Sequence, residues 1–408
     1  MNKLIVQKYG GTSVADPQCI KNVAKRVVAT RKKGHNVVVV VSALGDTTDD
    51  LIALARQITE TPSEREYDML VSTGEQVSVA LLAMAIHKLG VEAISFTGAQ
   101  VGIITDSSYT KARIIKINTK KMESELKKGK IVIVAGFQGV NMDQEITTLG
   151  RGGSNLTAVA IAKALDADVC EMNTDVEGVY TADPRVVLSA KKLNWLSYDE
   201  MLEMASLGSQ ILQARSVIFA KKFNVPIHVR SSFSKKQGTF ITKEAKAMME
   251  GVVISGVTCT KKEAKMTISE VPDKPGMAAK IFKVLAEAEI NVDMIIQNVS
   301  HTGLTDLSFT VPKEDLTTAL RTAQKIVKHI KAERVTADED IAKISIVGVG
   351  MKSHPGVAAK MFQVLAKNKI NIEMISTSEI SISCVIRKKK ADAAVKALHD
   401  GFGLGRKR

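Results

Sequence analysis

The C-terminal part of the chain spells one segment twice, 80 residues apart, and a duplicated segment must fold as a duplicated unit. Pro275-Gly276 returns as Pro355-Gly356, Ala278-Ala279-Lys280 as Ala358-Ala359-Lys360, and Phe282 as Phe362. Val284-Leu285-Ala286 returns as Val364-Leu365-Ala366, and Ile290-Asn291 as Ile370-Asn371. Each copy opens with a β-rich run, Met266–Val271 or Ile344–Val349, turns at Pro-Gly and continues into an amphipathic helix. Met277, Ala278, Ile281, Phe282 and Leu285 recur at helical spacing, the pattern of a buried face. A second strand (Asn291–Gln297; Asn371–Thr377), a third strand and another helix follow, so the order is β-α-β-β-α-β, the ferredoxin-like pattern.

The strands do not divide evenly between the copies. The second copy reaches Gly401–Arg408 without a closing strand, while Gly251–Thr258 is β-rich and has no partner within its own half. We expect this segment to supply the missing strand, which would insert the first copy into the second. Placement of Val252–Val257 in the sheet of the N-terminal part would refute the expectation.

Upstream, to about residue 230, strands and helices alternate. Val37–Val41 and Ile131–Val134 are unbroken β-branched runs, as in strands buried on both faces of a mainly parallel sheet. Ile20–Lys32, Glu75–Leu89 and Leu156–Leu165 read as the intervening helices, which predicts a three-layer α/β/α domain. Val225–Ser232 is expected as its last strong strand and the polar, helix-prone Lys235–Glu250 as the boundary. The predicted division is therefore 1–248, then 264–339 and 340–408 for the repeats, the last completed by 251–258.

Two Gly-rich elements carry chemistry. Leu4-Ile5-Val6 runs into Lys8-Tyr9-Gly10-Gly11-Thr12-Ser13, and Gly150-Arg151-Gly152-Gly153-Ser154 opens a helix far downstream. Paired glycines let successive N–H groups converge on an anion, and a lysine supplies a compact charge for phosphoryl oxygens. A tight turn with a surface lysine is the alternative for the first element alone. No G-x-x-x-x-G-K-[ST] or H-E-x-x-H occurs and the histidines are scattered, so neither a P-loop nor a protein-built metal site is expected. The net charge of +14 suits anionic small molecules; with 4% aromatics and no basic run interleaved with them, nucleic-acid binding is not expected. Cys19, Cys170, Cys259 and Cys384 form no C-x-x-C pair and read as reduced thiols. Without a signal-peptide pattern or a long apolar run, a cytoplasmic protein with no membrane segment is expected.

Taken in chain order, Lys8–Ser13, Ser42-Ala43-Leu44-Gly45-Asp46-Thr47-Thr48, Ser72-Thr73-Gly74-Glu75, Thr148–Ser154, Thr174-Asp175-Val176 and Val179-Tyr180-Thr181-Ala182-Asp183-Pro184-Arg185 resemble the motifs of aspartokinases, members of the amino-acid kinase family. The tandem repeats resemble the paired ACT regulatory domains of that family. The resemblance implies ATP- and Mg²⁺-dependent phosphorylation of L-aspartate to 4-phospho-L-aspartate, at the head of lysine, threonine and methionine biosynthesis. It implies catalytic roles for Lys8, Arg151 and position 155, here Asn155. It places Lys8, Tyr9, Gly10, Gly11, Ser13, Thr174, Asp175, Tyr180, Asp183, Arg185 and Gln210 at the nucleotide. Thr48 would meet the side-chain carboxylate of aspartate, Glu75 its ammonium and Arg151 its α-carboxylate, with Ser42 and Ser154 beside them; each pairing sets opposite charges together. Another amino-acid kinase, acting on acetylglutamate or glutamate, is the alternative enzyme, and an amino-acid-sensing partner subunit the non-enzyme one.

The chain departs from the family pattern at Asn155, where an aspartate is usual, at Gln210 for a lysine, at Asn173 for an aromatic and at Ile218 for a glutamate. Loss of a negative charge at 155 and of a positive one at 210 would compensate if the two are neighbours. In the repeats, helix-opening Pro-Gly turns suit the capture of small zwitterions. The resemblance implies effector contacts at Asp273, Gln297, Asn371 and Ile372 for threonine and at Ser300, Thr377 and Ser378 for lysine, with Lys274, Pro275, Gly276 and Asp293 as further effector contacts. It also implies a homodimer or larger assembly through the ACT domains, and Met249 is a candidate internal start for a separate regulatory subunit.

Overall fold

The computed structural model describes residues 2–209, 211–243, 253–298, 303–349, 351 and 356–405. The chain divides into two compact units: Met1–Tyr180, Lys192–Ala205 and Gln210–Glu250 form the first, and Thr181–Lys191, Ser206–Ser209 and Gly251–Arg408 the second. Gln210, Met249, Ser300 and Pro355 lie outside the described residues.

The first unit begins β1 (Leu4–Tyr9), α1 (Pro17–Lys32), β2 (Asn36–Val41), α2 (Thr47–Ile58), α3 (Glu64–Val71), α4 (Thr73–His87) and β3 (Ala93–Phe96). It continues through β4 (Ile103–Thr105), β5 (Ile114–Ile117), α5 (Lys120–Lys127), β6 (Ile131–Ala135), β7 (Gln138–Val140), β8 (Ile146–Thr148) and α6 (Gly153–Ala164). β9 (Val169–Thr174), β10 (Trp195–Ser197), α7 (Tyr198–Ser206), α8 (Ala214–Phe223), β11 (Ile227–Ser231) and β12 (Thr239–Thr242) complete it. Among the described residues, an eight-stranded sheet runs β10-β12-β11-β9-β1-β2-β6-β3, parallel at every pairing except β11–β12. The valines of β2 and the aliphatics of β6 are buried on both faces, as interior strands of a sheet covered on both sides require. α1 and α4 pack on one face with Val37, Val39, Val41, Ile131 and Ile133, and α6 and α8 cover the other. α1 is started by Asp16, whose side chain accepts from the Cys19 amide at 2.8 Å, with Pro17 as its first residue. A smaller sheet of order β5-β4-β7-β8 stands beside the main one.

Two expectations change. The stretch 235–250 is not simply a helix-prone boundary: β12 lies in it and extends the main sheet beyond β11. Gly238, at φ +72°, turns the chain, and Phe240 is then held between the His228 ring (3.8 Å between centroids) and the Trp195 ring (4.7 Å). Glu64–His87 is long and apolar enough by composition to cross a membrane, although Asp68, Ser72 and Glu75 interrupt it; half of its most apolar window is buried. α4 sends Val79, Leu82 and Ile86 into the core and leaves Val77, Leu81 and Met84 exposed.

The second unit contains β13 (Val253–Thr260), β14 (Glu263–Pro272), α9 (Met277–Glu287), β15 (Ile295–Gln297), β16 (Leu304–Pro312), α10 (Leu316–Ile330) and β17 (Arg334–Asp338). β18 (Ile341–Val349), α11 (Val357–Lys367), β19 (Met374–Thr377), β20 (Ser381–Arg387) and α12 (Ala391–Gly401) follow. The first repeat forms a sheet of order β15-β16-β14-β17 and the second one of order β13-β18-β20-β19. β13 thus sits at the edge of the second repeat, antiparallel to β18 from Val253↔Val349 to Thr260↔Lys343, and the first repeat is threaded between it and its partner. The second strand of each repeat is shorter than expected, because Asp293 and Glu373 join the ladder only through single backbone bonds, to Thr310 and Val385.

Charges tie the repeats together reciprocally. Lys343 of β18, 1% exposed, reaches Glu263 at 2.7 Å and Asp293 of the first repeat. Lys265 of β14 reaches Glu373 of the second at 2.5 Å, and Arg387 joins Glu373 to Asp338. Met294, Ile341, Met374 and Val385 fill the apolar centre between them. Within the same unit the segment 181–191 lies against the second repeat: the Val257 amide donates to the Thr181 carbonyl at 2.7 Å, and the Thr181 hydroxyl lies 3.0 Å from His399 Nε2.

Candidate active site

The Lys8 turn is shaped by what its neighbours leave no room for. A Cβ on Gly11 would stand 2.8 Å from the Gly45 carbonyl oxygen and 3.1 Å from that of Ala43, so only glycine lets the turn lie against the Ser42–Thr48 loop. The Gly45 amide donates to the Gly11 carbonyl at 3.2 Å and the Ser42 amide to that of Tyr9 at 3.1 Å. Gly74, at the start of α4, approaches the same loop: its Cβ would fall 2.8 Å from the Ala43 methyl. Turn, loop and helix start therefore converge on Ala43.

Glu75 sits in the first turn of α4 and is 2% exposed. Its Oε1 accepts from the Ala43 amide at 3.1 Å, and its Oε2 is buried with no hydrogen-bond partner among the described residues. Burial pushes this carboxyl up to about 7, only partly opposed by the Ala43 and Glu75 amides. A buried carboxylate oxygen held without a donor is costly unless a cation completes it. Lys8 is half-buried, and a Cβ on Gly10 would lie 3.2 Å from its Nζ, so the ammonium rests against the turn. Burial brings it down to about 8, and the field of Asp175 works against that fall.

A second set of bonds joins the turn to the end of β9. The hydroxyls of Ser13 and Ser232 are 2.6 Å apart, and the Ser232 amide donates to the Thr174 carbonyl at 2.7 Å. Arg26 of α1 donates from Nη1 to the Ser231 carbonyl at 2.6 Å and to that of Ser234 at 3.2 Å, bracing the loop that carries Ser232. The Thr174 hydroxyl donates to the exposed Asp175 at 2.8 Å, and the Tyr180 hydroxyl to Glu177 at 3.2 Å.

The second Gly-rich element leads into α6. Gly150 and Gly152 take φ of +76° and +71°, and a Cβ on Gly152 would collide with the Gln213 carboxamide at 2.8 Å. The element is held from behind. Fully buried Asp68 of α3 accepts from the Thr148 amide (2.8 Å), the Thr148 hydroxyl (2.6 Å) and the Thr110 amide (2.9 Å). Arg215 of α8 donates to the Leu149 carbonyl at 2.9 Å and the Ala112 carbonyl at 2.6 Å, and Gln213 donates to the Arg151 carbonyl. Arg151 itself is exposed, Ser154 is buried, and half-buried Asn155 lies in the first turn of α6, where its amide donates to the Gly152 carbonyl at 3.0 Å and that of Gly153 to the Gly150 carbonyl at 2.9 Å.

Of the residues singled out from sequence, the structure brings the Lys8 turn, Ser42, Glu75 and Thr174 into one bonded neighbourhood, with half-buried Thr48 at the start of α2. The Tyr9 ring is wholly buried in the core, so that residue offers the turn its backbone. Asp183 and Arg185 belong to the second unit, where the guanidinium forks onto the carboxylate at 3.0 and 2.8 Å. In the repeats, Gly276 and Gly356 open α9 and α11 at φ of +91° and +102°. Asp273, Lys274 and Pro275 are exposed beside Gly276, Gln297 and Thr377 occupy equivalent ends of β15 and β19, and Asn371 and Ile372 precede β19. Asp293 is paired with Lys343, and the Ser378 hydroxyl, 2.9 Å from that of Ser381, closes a hairpin. Asp68, Arg26, Gln213, Arg215 and Ser232 escape a sequence reading, since each looks locally like a polar helix face or loop. The double serine after the final strand of the run is the one signal that could point to Ser232.

Comparison with known proteins places both parts of the chain in known families. Residues 3–231 match the amino acid kinase family, and residues 269–326 and 344–402 match the ACT domain. An aspartate kinase of Stutzerimonas stutzeri is 53% identical over 98% of this chain and 97% of its own. The structure of E. coli aspartokinase III with aspartate and ADP matches with a TM-score of 0.83 at 26% identity, over 98% of this chain and 99% of the other. The same enzyme with lysine and aspartate matches with a TM-score of 0.76 at 26% identity, over 98% and 99%.

Proposed function

This chain belongs to the aspartokinase family, and from that premise we propose how its residues phosphorylate L-aspartate under ACT control. The nucleophile is a carboxylate already ionised at neutral pH, so no general base is required, and catalysis rests on placement and charge neutralisation. Glu75 Oε2 receives the substrate ammonium, Arg151 forks onto the α-carboxylate, and Thr48 and Ser42 orient the side-chain carboxylate. Lys8, with the amides of Gly10 and Gly11 in a turn that the Ser13 amide closes on the Gly10 carbonyl at 2.9 Å, holds the transferring phosphoryl group of ATP. Asn155 is neutral, and the field of Asp175 only partly opposes the fall that burial imposes on Lys8. Mg²⁺ carried in with the nucleotide would neutralise phosphate charge, and exposed Asp175 is the carboxylate that would help to hold it.

The observation that carries this reading is the unpartnered Glu75 oxygen, buried beside a lysine-bearing phosphate turn. An ATP-dependent hydroxamate assay tests it: aspartate should turn over, and N-acetyl-aspartate, which lacks the ammonium, should lose at least about 10²-fold in kcat/KM. Equal turnover of the two, or none with aspartate, would refute the reading.

For regulation, we propose that the ACT pair binds lysine or threonine, with Asp273, Gln297, Asn371 and Ile372 serving threonine and Thr377 and Ser378 lysine. The left-handed glycines that open α9 and α11 support this, since among the described residues no side chain caps either helix start. β15 and β19 are edge strands with Ile295 and Ile375 exposed, which supports assembly of chains through the ACT sheets. A cytoplasmic location and a regulatory subunit begun near Met249 complete the proposal. Immunoblots of native extract with an antibody to the repeats test the last point.

A further inference from the structure

On the side of the first unit formed by β5, α6 and α8 lies a groove of about 480 Å³, within the size range of small-molecule sites. Its floor is apolar: Ile114, Leu156, Ala160 and Phe219. Ile218 and Phe223, 51% and 38% exposed, extend that surface to the rim. The charged residues that line it are all cations, Arg113, Lys116, Lys163, Arg215 and Lys222, and no carboxylate lines it. Two of the five are engaged: Lys163 pairs with Asp166 at 2.9 Å, and Arg215 gives both Nη groups to the Leu149 and Ala112 carbonyls. Lys222 lies 5.4 Å from the Phe223 ring centroid. Arg113, Lys116 and Lys222 form no ion pair among the described residues and are exposed.

An apolar floor under a rim of one sign selects a ligand with an apolar body and a negative head, because either part alone would leave half the groove unmatched. We propose that this groove binds a small amphipathic anion of the alkyl-carboxylate class, with its head on Arg113, Lys116 or Lys222, and that occupancy is felt at the Gly150–Gly153 loop through Arg215. Arg215 both lines the groove and holds, through its guanidinium, the Leu149 carbonyl that leads into the loop, so an anion that draws on it loosens the loop. This second step rests on the reading of that loop as the aspartate site; the binding step does not.

Calorimetric titration of the full chain with sodium decanoate, below its micellar concentration, tests both steps. Lys116→Glu/Lys222→Glu and Ile218→Glu alter exposed side chains, and circular dichroism checks that they fold. One decanoate per chain is expected, weakened at least about tenfold in either variant. Saturating decanoate should also raise the Kd for aspartate about fivefold in the parent and leave it unchanged in the double variant. Failure to bind, or equal binding by the variants, overturns the site. Tripolyphosphate binding as tightly as decanoate and lost in the same variants marks a bare anion patch and overturns the amphipathic assignment. Binding with an unchanged aspartate Kd overturns the coupling. A chain that binds decanoate yet never phosphorylates aspartate keeps the site and refutes the kinase reading instead.

Discussion

With Glu75 in its proposed role as partner of the substrate ammonium, aspartate recognition should depend on pH in a range where the substrate itself does not titrate. The Glu75 carboxyl moves from 4.5 to about 7 in the folded chain, a difference of about 3 kcal/mol at 1.36 kcal/mol per unit. Because the folded carboxyl is the weaker acid, the folded chain holds more protons than the unfolded one between pH 4.5 and 7, so stability falls as pH rises through that window. Only the ionised form can pair with the substrate ammonium. With half-ionisation at about 7, the apparent KM for aspartate should be about tenfold higher at pH 6 than at pH 8, while saturating kcat changes little. Binding at pH 7 should release about half a proton, readable by calorimetry in buffers of different ionisation enthalpy. Glu75→Gln keeps an acceptor for the Ala43 amide but removes the charge; the loss of about 3 kcal/mol expected for a buried charged contact corresponds to about 10²-fold in KM. It should also flatten the fall of the thermal midpoint between pH 5 and 8. A parent KM that is flat from pH 6 to 8, or a variant within about threefold of the parent, would refute the argument.

Lys8 sets the opposite limb: with its ammonium near 8, kcat should fall as pH rises past that value, and Asn155→Asp should move the limb upward and increase turnover by up to about 10²-fold. An unmoved limb would disconnect position 155 from Lys8. Gly11→Ala forces a methyl to 2.8 Å from the Gly45 oxygen, so differential scanning calorimetry should show a loss of about 1–3 kcal/mol together with a disproportionate loss of kcat. Lys343→Met strands Glu263 and Asp293, and urea unfolding should register a loss of about 3 kcal/mol from the ACT transition that is largely recovered when both acids become amides.

The repeats were legible because duplication exposes a pattern twice, and the odd strand followed from counting: five elements cannot close a six-element fold, so Gly251–Thr258 had to be borrowed. The Lys8 turn was legible from glycine spacing. The burial of the Tyr9 ring was available too, since strand alternation points Tyr9 away from the face that carries Lys8. β12 was missed because Thr239–Thr242 is too short to show a period, and its apolar residues gain their meaning from Trp195 and His228, distant in sequence. Asp68 and Arg215 were invisible for a different reason: a buried polar residue that braces a loop looks, in one sequence, the same as one facing water. Nor could local pattern assign 181–191 to the second unit, because that depends on where β13 and α12 meet it.

The insertion of one repeat within the other also sets an order of events during synthesis. β13 emerges from the ribosome about 80 residues before β18, the strand it pairs with, and at about 5–20 residues per second that is a wait of several seconds. Throughout it the first repeat can close, since β14 to β17 arrive consecutively, while β13 remains an unpaired β-rich edge. Nascent chains stalled between β17 and β18 should therefore be the aggregation-prone species, rescued by a holding chaperone. A regulatory fragment must likewise start upstream of Val253, or the second repeat is born with its edge open.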